Sequence, residues 1–134
     1  PVQKISVTDE AGGSTRNCLV LYGMGALLSG ETYASSEKDT DISAVVDFSI
    51  VRNNFGETSI RSFTVTPVYL NWYNDKIQPI PVCEAKDTDK YAEMLDDDDV
   101  DRINSAYDGM ITHLLDGSGL TSTYENYAYN VSLQ

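Results

Sequence analysis

The chain has 134 residues, with nine Lys and Arg against 21 Asp and Glu for a net charge of -12, and 41% of its residues are hydrophobic. That length matches about one domain, residues 1–134, with a core that needs no disulfide staple. The composition excludes a collagen-like chain, a coiled coil, a disulfide scaffold and wholesale disorder.

The first elements follow in chain order. Ile5-Ser6-Val7 alternates as a short strand does, and the stretch from Asp9 to Arg16, with Gly12-Gly13-Ser14, reads as a turn. Cys18 to Tyr22 is a continuous apolar run, the pattern of a buried strand. Gly23 to Gly30 frames a small apolar stretch with glycines, which predicts a tight turn and a close backbone approach. The polar stretch from Glu31 to Asp39 predicts an exposed loop.

Asp41 to Arg52 carries Ile42, Ala44, Val46, Phe48 and Ile50 at alternate positions, the period of a strand with one buried face. Asn53 to Glu57 then supplies the Asn and Gly of a five-residue turn. The return strand spans Ser59 to Tyr73. Its apolar phase shifts from Phe63 and Val65 to Val68, Leu70 and Trp72, so a bulge or an edge position is expected at Thr66-Pro67. Together these segments predict a long, bent β-hairpin.

Ile77 to Cys83 contains Pro79 and Pro81, which suits an extended segment but not a central strand. Thr88 to Leu95 predicts a short helix with Tyr91, Met94 and Leu95 on one side. Val100, Ile103, Tyr107, Met110, Ile111 and Leu114 recur at helical spacing and predict a helix over Asp98–Leu115, capped by Asp97 or Asp98 and stopped at Gly117. Tyr127, Tyr129, Val131 and Leu133 alternate as a final strand. The expected fold class is α+β: an antiparallel sheet with a long bent hairpin, one or two helices on one face, and a C-terminal strand returning to the sheet.

Charge narrows the function classes. No two basic residues are adjacent, so the counterion release that drives binding to nucleic acid has no patch to act from. Neither direct nucleic-acid binding nor membrane binding is expected. No apolar run has bilayer length, and Pro1-Val2-Gln3-Lys4 does not open an apolar signal segment, which points to a cytoplasmic or virion setting. Cys18 and Cys83 form no CxxC motif and read as free, buried thiols.

The densest charge lies between Glu84 and Asp101, with nine acidic and two basic residues. Asp97, Asp99 and Asp101 have the first spacings of a calcium loop, but Arg102 stands where such a loop needs Gly and the helix has already begun. Acidic residues there complement the helix dipole, and as a surface they would suit a basic protein partner. Gly23-Met24-Gly25-Ala26-Leu27-Leu28 lacks the third glycine of a dinucleotide loop. His113 is the single histidine, placed at the border of the helix's apolar stripe. Nothing here assigns a catalytic residue, a cofactor or a metal.

Nine tyrosines exceed what a core of this size needs, and Tyr73 and Tyr124 are the candidates for a contact surface. The expected function is a non-enzymatic protein-interaction module. Its leading form is an assembly subunit, as in a viral or phage particle, that self-associates through strand edges and Tyr-rich surface. One alternative is an acidic inhibitor that mimics nucleic acid and fills a basic groove on a partner, using Asp97, Asp99 and Asp101. A second is a small divalent-cation-binding domain or carboxylate enzyme.

Overall fold

The computed structural model describes residues 1–8, 12–13, 15–23 and 40–133. The predicted turn at Asp9–Arg16 lies partly outside these residues, the tight turn predicted at Gly23–Gly30 lies outside them but for Gly23, and the loop predicted at Glu31–Asp39 lies wholly outside them.

Two antiparallel sheets and one long helix make an α+β fold. β1 (Val2–Thr8) pairs with β2 (Thr15–Leu21) in a two-stranded sheet, from Val2 opposite Leu21 to Thr8 opposite Thr15. The main sheet contains β3 (Ile42–Arg52), β4 (Thr58–Tyr73), β5 (Lys76–Pro81), β6 (Ser122–Glu125) and β7 (Ala128–Ser132). Its order is β3-β4-β7-β6, with β5 also paired to β4. α1 (Val82–Asp87) follows β5 directly, a 3-10 turn occupies Ala92–Met94, and α2 (Asp97–Leu115) precedes β6.

The β3–β4 hairpin turns where its residues require. The Asn53 side-chain oxygen accepts from the backbone N–H groups of Phe55 and Glu57, both at 2.9 Å. Gly56 takes the left-handed conformation, φ 85°, that a side chain would strain. The register then shifts by one residue between Ser49 and Ile50, where Arg61 is the extra residue on β4.

The expected bulge at Thr66-Pro67 is absent. Pro67 stands opposite Ala44 in unbroken register and is fully buried. Phe63, Val65, Pro67, Tyr69 and Asn71 form one continuous buried face, and Val68 and Leu70 are buried on the opposite face as well. The apparent phase shift is the start of two-sided burial. Proline is accommodated because β4 changes neighbours there. β7 pairs with Ser62–Val65 and β5 with Val68–Tyr73. Leu70 N–H donates to the Asp41 carbonyl at 2.8 Å, so even-numbered β4 residues turn their backbone groups toward β3. Pro67, at an odd position, points its donorless nitrogen into the seam between β7 and β5.

α2 lies on the face that carries Phe63, Val65 and Tyr69. Its Ile103 and Ala106 pack with Tyr69 and Val82, while Tyr107, Ile111 and Leu114 reach the cluster of Val2, Phe63, Val65, Cys83, Tyr129 and Val131. Leu19 and Leu21 of β2 join the same cluster, so the small sheet covers that face beside the helix. The base of the hairpin is tied to α2 by Arg102. Its Nε donates to Asp41 Oδ2 at 2.9 Å and its Nη2 to Oδ1 at 2.7 Å, a bidentate pair on a carboxylate that is 2% exposed.

Several boundaries differ from expectation. The helix expected at Thr88–Leu95 is reduced to the 3-10 turn Ala92–Met94, and an unexpected helix at Val82–Asp87 cuts short the extended segment expected to Cys83; Thr88 closes it by donating from its N–H and its hydroxyl to the Glu84 carbonyl. β2 begins at Thr15, and Cys18 to Leu21 are half-buried with Tyr22 exposed; Leu19 and Leu21 pack on the core cluster. β6 was not expected at all. Tyr127 is exposed in the left-handed turn between β6 and β7 and is not part of the strand. Cys18 and Cys83 are free thiols; Cys18 is only half-buried, against the expectation for it.

Candidate interaction surface

Among the described residues β3 is an edge strand, paired with β4 alone. Asp41, whose carbonyl receives Leu70 N–H, marks the odd-numbered β3 residues as those turned toward β4. The even-numbered residues Ile42, Ala44, Val46 and Phe48 therefore direct their N–H and C=O groups away from the sheet, and no partner for them exists among the described residues. Their side chains lie on the same face as α2.

The expected burial of this apolar row holds only at the base of the strand. Ile42, Ala44 and Val46 are half-buried, but Phe48 is 41% exposed and Ile50 63%, because each opens onto a groove, Phe48 across from Met110 and Leu114 of α2 and Ile50 across from Arg16, Cys18 and Leu19 of β2. The Phe48 ring leans on Phe63 at 6.0 Å between centroids. At the turn, Phe55 is 92% exposed. A groove of about 670 Å³ lies over this strand, walled by Ala44, Val46 and Phe48 on one side and by Leu21, Met110 and Leu114 on the other. No β4 residue lines it, which places it at the β3 side of the sheet. His113, exposed as its border position implied, stands at its rim.

The acidic candidates separate. Asp96, not Asp97 or Asp98, caps α2: its Oδ1 accepts from Asp99 N–H at 2.9 Å, and Asp99 Oδ2 accepts from Asp96 N–H at 3.0 Å. Asp99 Oδ1 accepts from the Tyr69 hydroxyl at 2.5 Å. Asp99 is thus half-buried and occupied, while Asp97 and Asp101 remain exposed. Burial first, and then the Asp99 carboxylate, push the Tyr69 hydroxyl well above the ordinary tyrosine range. Beside these residues Asp98, Asp101 and the half-exposed Trp72 line a groove of about 510 Å³. Among the described residues, no group of three or more His, Cys, Asp or Glu side chains is placed to hold a metal.

The tyrosine candidates separate too. Tyr73 is half-buried at the end of β4, opposite Lys76 and next to the left-handed turn Asn74-Asp75. Tyr124 is engaged within the molecule: its hydroxyl donates to Asp87 Oδ2 at 2.5 Å, and its ring meets Tyr107 edge-on at 6.0 Å and Tyr129 at 5.3 Å. This cluster clasps β6 to both helices. Desolvation, followed by the Asp87 bond, raises the Tyr124 pKa, and burial pushes the Cys83 thiol up beneath it. The alternation of β3 places Phe48 and Ile50 on its buried face, so the sequence does not mark them as surface. The signal available was length, since one helix and a small sheet cover an apolar strand of 11 residues only in part.

No family model matches the chain, and no curated protein or solved structure matches it either. The fold and the surface define an acidic α+β domain whose β3 edge is apolar and, among the described residues, unpaired. Among the described residues no helix is long and apolar enough to cross a membrane.

Proposed function

We propose that the chain is a non-enzymatic protein-interaction module, an assembly subunit that docks through the β3 edge of its main sheet. The observation that carries this reading is the outer side of β3, a strand of 11 residues with unpaired backbone groups among the described residues and with Phe48 and Ile50 exposed. Long, flat, apolar edges template the addition of another strand, and proteins ordinarily blunt them with proline, lysine or short length. The tyrosines contribute less than their number suggested, because Tyr107, Tyr124 and Tyr129 spend their rings on one another.

Molar mass by light scattering, across a concentration and salt series, tests the proposal. An oligomer that grows with concentration and persists at high salt supports it. A monomer under every condition overturns it.

The acidic-inhibitor reading keeps one specific support, the exposed Asp97, Asp98 and Asp101 at the head of α2 with Trp72 nearby. Under that reading, binding to a basic partner weakens steeply with salt, since screening shortens to about 8 Å at physiological strength. It is abandoned if changing all three residues to Asn leaves binding to polylysine unaltered at low salt. Asp99 is left in place in that variant because it belongs to the helix cap.

A further inference from the structure

Resting on the assembly reading, we infer that the occupant of the edge is β3 of a second copy, paired antiparallel about a two-fold axis to give one continuous sheet. Three observations favour a second copy over a different partner.

The first is complementarity. An antiparallel edge is matched by its own pattern when each strand presents backbone donors and acceptors at alternate positions, as Ile42, Ala44, Val46 and Phe48 do. A two-fold contact requires such a self-matching patch. With the axis normal to the sheet, the apolar rows of both copies fall on the same face. Phe48 and Ile50 of each strand then become cross-strand neighbours of the other copy, beside the two grooves.

The second is charge. The outward row from Ile42 to Ile50 carries no charged side chain, on a chain whose net charge is -12. A basic segment would find no carboxylate along that row, whereas another β3 brings an apolar one. The third is the contrast with the rest of the sheet. β5 carries Pro79 and Pro81, which remove donors from its outer side, and β6 has four residues. Among the described residues, β3 is the edge of the main sheet that is both long and free of proline, in regular register from Ile42 to Ser49.

The geometry supplies a selective variant. Val46 N–H points outward and takes no part in the β3–β4 ladder, so Val46→Pro removes a donor from the proposed interface and none that is used among the described residues. The expected result is a dimer weakened by about tenfold or more, with an unchanged circular dichroism spectrum. A cross-link provides the second measurement and does not depend on how that variant folds. The exposed positions Val45, Asp47 and Ser49 turn their backbone groups inward, so across the axis they form non-hydrogen-bonded pairs with Cα atoms about 4.5 Å apart. On a Cys18→Ser background, Val45→Cys, Asp47→Cys and Ser49→Cys are oxidised singly and as pairwise mixtures, which samples neighbouring registers.

One combination yields a disulfide-linked dimer if β3 pairs with β3, while Thr123→Cys, exposed on β6 at the other end of the strand order, does not. An oligomer that survives Val46→Pro and gives no such cross-link overturns the β3 pairing and leaves the assembly reading standing. A wild-type chain that is monomeric at every concentration removes the assembly reading itself. Salt adds a signed check: screening two copies of net charge -12 strengthens this dimer, so an association that dissolves as salt rises is evidence against it.

Discussion

At its base the β3–β4 hairpin lies beneath α2, with Asp41 clamped by Arg102 and with Val65 and Tyr69 sealed against Ile103, Ala106 and Tyr107. At its far end the same two strands run on with Phe48, Ile50 and Phe55 exposed. The residue types are similar and the backbone pairing is equally regular apart from one bulge. What differs is the second layer. An alternating apolar strand specifies that one face wants cover, and it does not specify where the cover comes from. At the base the cover is this chain's own helix. At the tip Phe48, Ile50 and Phe55 stay exposed.

Changes at the base are therefore expected to act on stability and changes at the tip on association. The largest effect belongs to Arg102→Met. It leaves the Asp41 carboxylate buried without its bidentate partner, and urea unfolding should show a loss of about 3–5 kcal/mol. Alkaline titration reaches the base by another route. Burial raises the Tyr129 hydroxyl to about 12, above its unfolded value near 10. A folded-state pKa above the unfolded one gives stability that is complete below pH about 10 and is lost as pH climbs toward about 12. Melting temperature measured from pH 8 to 12 should fall through that window, and Tyr129→Phe should reduce the slope.

Smaller effects sharpen the contrast. Asp96→Ala removes the N-cap of α2 and should cost about 1 kcal/mol, read as a drop in the urea midpoint at unchanged m-value. The smallest stability change is expected at the tip. Phe55→Ser alters a side chain that is 92% exposed, so the unfolding free energy should stay within about 0.5 kcal/mol of the parent. A large loss there would show that the tip is part of the core and would erase the distinction.

Much of this fold was legible in local pattern. The Asn53–Glu57 turn, the α2 stripe, the returning β7 and the non-central place of Pro79 and Pro81 all follow from short-range rules. What was illegible depended on partners far along the chain. β6, with Ser122, Thr123, Tyr124 and Glu125, has no alternation to announce it, and it is a strand because β7 is beside it and Tyr124 is anchored to Asp87. The Asp41–Arg102 pair joins residues 61 positions apart. Tyr91, Met94 and Leu95 suggested a helix of their own, yet only a 3-10 turn forms there, and a separate helix forms upstream, where Val82 and Cys83 are drawn into the core. Of the candidate contact residues, Asp97 and Asp101 stand exposed as supposed, while Asp99 and Tyr124 are held by the fold. The exposure of Phe48 was illegible because periodicity reports a face and not its cover.

The seam at Thr66-Pro67 bears on the order in which this protein is made. β4 meets β5 across a turn of two residues, a contact available as soon as Pro81 has been synthesised. Its pairing with β7 links Ser62–Val65 to residues near 130, a closure that waits until those residues have been made. Until then the stretch before Pro67 is a second open edge on the nascent sheet, in addition to β3. The proline thus stands at the boundary between the part of β4 that gains its second neighbour early and the part that gains it last.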